Sequence, residues 1–117
     1  MNAQLDFMPT TSLNQRLQYQ WSHSGQGFTP RGHIVQLWNS FPSLVCKNVT
    51  VENWDAEKIK ESIGCMSSGQ AWAAGFVLSV WNAPAFRDQF TLDRAMAKWD
   101  ERHRAAFADW CLNPWWP

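Results

Sequence analysis

A chain of 117 residues is the length of one domain built on one core. Ten basic and ten acidic side chains cancel, which speaks against a nucleic-acid binder driven by counterion release and against an acidic mimic of DNA. Nine Trp and seven Phe supply abundant core material, and the excess points to contact surfaces, because Trp is strongly enriched at protein–protein hot spots.

Residues 1–28 read as a polar arm, rich in Gln, Ser, Asn and Thr. Within it Leu13, Leu17 and Trp21 are spaced by four, which predicts a short amphipathic helix over about 12–21. "SHSGQG" then breaks the pattern into loop. The first residues lack the cationic start and apolar core of a signal peptide. Cys46, Cys65 and Cys111 form no CxxC pair and no even framework, so free, partly buried thiols in a reducing cytoplasm are expected.

Residues 29–117 are expected to form a single helical domain. In "FTPRGHIVQLWNSFP", Thr29 suits an N-cap and Pro30 the first helical position. Ile34, Leu37, Trp38 and Phe41 make one apolar face, and Pro42 stops the helix. "SLVCKNVTVEN" holds Val45, Val49, Thr50 and Val51, but one isolated strand has no partner, so the segment is expected to be mostly loop. "NWDAEKIKESIG" predicts a helix capped by Asn53 or Asp55, with Ala56, Ile59 and Ile63 facing inward and Gly64 at its end.

Next, "SSGQAWAAGFVLSVWN" can be capped by Ser67 or Ser68 and is apolar in nearly every direction, the mark of a helix enclosed by others. Ala73, Ala74 and Gly75 allow close neighbours. Its apolar stretch, 71–81, falls short of the ~20 residues of a membrane span. A last helix is predicted from about Thr91, with Leu92, Met96, Trp99, His103, Phe107 and Trp110 on one face. The expected fold is all-α, a compact bundle of four to five helices around a central apolar helix at about 68–82.

The stretch "MSSGQAWAAGFVLSVWNAPAF", followed by "FTLDRAMAKWDERHRAAFADWCLNPWWP", resembles small Trp-rich proteins encoded on proteobacterial integrative elements, plasmids and phages. It carries an S-S-G start, an apolar helix ending W-N, then W-D-x-x-H-R-x-A-F and a terminal P-W-W-P, over roughly 66–117. The resemblance implies an accessory protein of a mobile element and no particular chemistry.

Candidate chemistry is sparse. His103 sits on the apolar face of the last helix, and Asp100 three residues earlier can orient its ring. No nucleophile elbow accompanies it, so a hydrogen-bonded histidine at the core boundary is expected, able to tie the terminal tail to the helix. His23, His33, Cys46 and Cys65 match no familiar zinc spacing. "SGQG" and "SSGQ" lack the Gly-Lys-Ser/Thr ending of a phosphate loop. Arg94, Lys98, Arg102 and Arg104 form a basic series interleaved with Asp93, Asp100, Glu101 and Asp109, the pattern of a solvated face with ion pairs.

"NPWWP" cannot continue a helix, because each Pro restricts itself and its predecessor. Folding back over Trp99, His103 and the central helix would bury at least one of its rings. Elimination then leaves a cytoplasmic helical protein without catalytic activity, cofactor or metal that binds a host or defence protein complex. An anti-CRISPR-type inhibitor is one concrete form. Trp115, Trp116, Arg102 and Arg104, with Trp21 and Phe28 from the arm, are the expected contact residues, aromatic anchors with a polar rim. The alternative is a nucleic-acid-binding accessory protein using the basic residues of the C-terminal helix. Homodimerisation through exposed tryptophans is a further outcome.

Overall fold

The computed structural model describes residues 29–117, and their regular structure is entirely helical. Helix α1 (Pro30–Ser40) opens on Thr29, whose hydroxyl accepts from the Gly32 N–H at 3.1 Å, with Pro30 in the first turn. It ends at Phe41 because Pro42 has no N–H to extend the ladder, and a 3₁₀ segment (Pro42–Lys47) begins there instead of loop. That segment closes on Asn48, whose left-handed backbone (φ 56°) suits asparagine better than most residues.

Helix α2 (Ala56–Ser62) is capped by Asp55 and runs into a 3₁₀ turn (Ile63–Cys65) that contains Gly64. Helix α3 (Ser68–Trp81) is capped by Ser67, and the one-turn α4 (Ala83–Phe86) by Asn82. A second short 3₁₀ turn (Arg87–Gln89) leads to α5 (Leu92–Lys98) and α6 (Glu101–Leu112).

The last helix is thus two helices. Trp99 leaves helical geometry at ψ 141°, and Asp100 accepts from the His103 N–H at 2.9 Å to start α6. Two preferences decide the break. Asp is a strong N-cap, and the Trp99 indole N–H reaches the Gly69 carbonyl at 3.0 Å, which a straight helix would not direct it to. The break resets the phase of the apolar face. Leu92, aligned with Trp99 on an unbroken helix, is 51% exposed, and Ala95 takes the buried position.

Helix α3 is the axis of the fold. It packs against α1, α2, α4, α5 and all three 3₁₀ segments. Phe76 on α3 meets Phe107 and Trp110 of α6 at ring-centroid distances of 5.0 and 5.3 Å. Ala73, Ala74, Val77 and Leu78 are buried against Ile34, Leu37, Trp38, Phe41 and Leu44. The Trp38 indole N–H, deep in this core, is satisfied by the Leu44 carbonyl at 3.0 Å.

The tightest approach lies at Gly75, where a Cβ would stand 1.9 Å from the Gln89 carbonyl oxygen. Backbone is there, so no side-chain motion relieves the clash. Gly75→Ala is therefore expected to cost about 2 kcal/mol or more and to lower the melting temperature by roughly 10 °C. Gly64→Ala, with nothing near the added methyl, should stay within about 0.5 kcal/mol of the parent. Thermal unfolding followed by circular dichroism checks both.

Candidate functional site

The C-terminal aromatic end is built from Trp110 of α6 and the tail beyond it. Asn113 ends the helix, and Pro114 prevents its resumption. The tail turns back and Trp115 stacks on His33 of α1, with ring centroids 3.4 Å apart and planes at 16°. The Trp110 indole N–H donates to the Trp115 carbonyl at 3.3 Å, which fixes the turn. The tail thus returns to α1 and does not lie on His103.

The neighbouring ring has the opposite fate. Trp116 stands edge-on to Trp110 at 5.2 Å and 88° and is 61% exposed. Leu112, in the last turn of α6, is 75% exposed. The two adjacent tryptophans therefore divide: Trp115 joins the fold and Trp116 is left to solvent. Arg102 and Arg104 are exposed on α6, as are Arg94 and Lys98 on α5. Trp21 and Phe28, like the expected N-terminal helix, lie outside the described residues.

A second cluster joins residues far apart in sequence. His103, on the first turn of α6, is buried, with Phe41 and Trp99 against its ring at centroid distances of 6.0 and 6.4 Å. Its Nδ1 lies 2.8 Å from Asp100 Oδ1. A carboxylate can only accept, so the Nδ1 proton points to Asp100 and Nε2 carries the lone pair. Ser43 Oγ donates to Nε2 at 2.7 Å, and the Ser43 N–H also faces that nitrogen at 3.4 Å.

Around Ser43 the backbone is held from α3. Gln70 Nε2 donates to the Ser43 carbonyl at 2.7 Å, and the Cys46 thiol approaches the same oxygen at 3.5 Å. Asp100 is pushed below the usual carboxylate range, first by the His103 backbone N–H and then by the His103 ring N–H. Its side chain is 66% exposed, while the imidazole that it orients is enclosed. The pairing of Asp100 with His103 is legible from their spacing. Ser43 and Gln70 are not, because sixty residues separate Ser43 from His103 and no local pattern marks either one.

Elsewhere, a shallow hollow of about 180 Å³ is lined by Trp38, Ile59 and Met66 together with Lys47, Asp55 and Lys58. Cys46, Cys65 and Cys111 are exposed, not partly buried as their sequence context predicts. The one ion pair between described residues is His103–Asp100. No helix among the described residues is long and apolar enough to cross a membrane.

His33 provides a titratable test of the docked tail. Burial pushes its pKa down from 6.5 to about 4. The folded state resists the proton that the unfolded chain accepts, so stability is full above pH 6.5 and is lost as pH falls toward 4. The loss by pH 4.5 should be on the order of 2–3 kcal/mol. His33→Phe, which keeps a ring against Trp115, should remove that component. Urea denaturation at pH 7 and pH 4.5 measures the difference.

Set against known proteins, the chain finds no relative to lend it a role: no protein-family model, no curated protein and no solved structure matches it.

Proposed function

We propose that this protein acts by binding another protein, with the C-terminal aromatic end as its contact surface. The observation that carries this reading is Trp116, a large apolar ring 61% exposed on a shelf made by Trp110. A ring that size has an apolar body that water solvates poorly, and covering it in a partner's pocket recovers the area. Leu112, in the last turn of α6, extends the apolar surface, whereas Arg102 and Arg104 are exposed in the first turn, at the other end of the same helix.

The docking of Trp115 supports the same reading. Proline on both sides and the stack on His33 hold the tail in one conformation, so Trp116 is presented without the ordering penalty of a free terminus. The balanced charge of the chain fits protein recognition better than phosphate recognition. On a mobile element, as the resemblance of residues 66–117 implies, the partner is a host or defence protein complex. A steric inhibitor of the anti-CRISPR type is the concrete form, and it requires no catalytic turnover.

Single substitutions separate the two tryptophans. Trp116→Ala should leave stability within about 0.5 kcal/mol of the parent and weaken partner capture from host lysate by about thirtyfold, the size of a 2 kcal/mol hot spot. Trp115→Ala should instead lower stability by about 2–3 kcal/mol. Unchanged capture by Trp116→Ala overturns this surface. A salt-sensitive shift of DNA or RNA by the intact protein would move the reading to nucleic-acid binding through the α6 arginines. A doubled mass in solution that Trp116→Ala abolishes would make the partner a second copy.

A further inference from the structure

A serine hydroxyl is a weak nucleophile until a neighbouring base accepts its proton. His103 meets the requirements for that base at Ser43. His103 Nδ1–H donates to Asp100 at 2.8 Å, which leaves the Nε2 lone pair as the acceptor, and Ser43 Oγ lies 2.7 Å from Nε2. Both distances lie within the hydrogen-bond reach that a nucleophile, its base and an orienting carboxylate require. A strut between the 3₁₀ segment and α6 needs only the Ser43–His103 bond. The charged Asp100–His103 bond sets the tautomer and strengthens Nε2 as an acceptor.

The surroundings hold the relay in place and leave it reachable. Phe41 and Trp99 pack beside the imidazole. Gln70 pins the Ser43 carbonyl from α3, and Ser43 itself is half-buried, not sealed. Asp100 bears on the imidazole as its charged neighbour, with Arg102 acting in turn on Asp100. Phe41, Trp99 and Ser43 are neutral.

We propose that Ser43 is an acyl-accepting nucleophile, with His103 as its general base, Asp100 as a positioning residue, and a thioester or aryl ester as the acyl donor. This role is separate from the binding surface at Trp116. In the step, Ser43 Oγ forms a bond to the acyl carbon while the bond from that carbon to the leaving sulfur or oxygen breaks. The hydroxyl proton passes to His103 Nε2 and from there to the leaving group. The products are acyl-Ser43 and a free thiol or phenol, with no change of oxidation state.

The test treats the intact protein with S-phenyl thioacetate and with p-nitrophenyl acetate, then locates the acetyl group by peptide mapping. Acetylation is expected at Ser43 and is absent there in Ser43→Ala. His103→Gln should slow it by about a hundredfold. Asp100→Asn keeps a side chain that caps α6, so its melting temperature should hold while the rate falls at least about tenfold. Acetyl groups confined to lysines or to Cys46 would overturn the proposal. So would Ser43 acetylated at an unchanged rate in Asp100→Asn, a variant that remains folded even if His103→Gln does not.

Discussion

Helix α3 carries no charged side chain and buries Ala73, Ala74, Phe76, Val77, Leu78 and Val80 in directions that cover more than half of its circumference. Such a helix is stable only when enclosed, and its enclosure organises the remainder of the chain. Small residues make close enclosure possible: at Gly75 the backbone of Gln89 passes where any side chain would stand. The connecting turn at 87–89 must therefore lie against α3, and α5 packs on the same helix after it. Large rings then fill the spaces left over. Phe76 alone meets Phe41, Phe90, Phe107 and Trp110.

One carboxylate links this packing to the polar cluster. Asp100 ends the excursion that brings Trp99 under α3, caps α6 through the His103 N–H, and turns the His103 ring through Nδ1. Capping and orientation use the same oxygen, so the imidazole direction follows from the helix start. Ser43 arrives from elsewhere: Pro42 ends α1 and begins the 3₁₀ segment, which sets the Ser43 hydroxyl facing Nε2. A structural break in each of two segments thus produces one aligned polar chain.

The tryptophans show how a small domain distributes its largest residues. Trp38, Trp54 and Trp99 are core, and Trp72, Trp81, Trp110 and Trp115 lie half-buried at its margin. Trp116 stands apart as the exposed one among the described residues. Those at the margin use their indole N–H unevenly. Trp110 donates to the tail, whereas the Trp115 N–H is buried with no acceptor among the described residues. Stacking on His33 therefore holds the Trp115 ring, while the bond from Trp110 holds its backbone.

Much of this architecture was legible from local pattern. Caps at Thr29, Asp55 and Ser67, the stops at Pro42 and Pro114, and the enclosed nature of α3 all follow from side-chain chemistry acting within a few residues. The pairing of Asp100 with His103 is local in the same sense, since three residues of helix separate them. The division of the last helix at Trp99 was not legible, because apolar periodicity runs through the break and the deciding bond goes to Gly69, thirty residues away. Nor could sequence assign Trp115 to His33 or Ser43 to His103, or say which of two adjacent tryptophans stays outside. Local chemistry determined which helices form and where they begin; only the tertiary structure decided which distant groups meet, because those contacts depend on how several helices share the surface of one apolar axis.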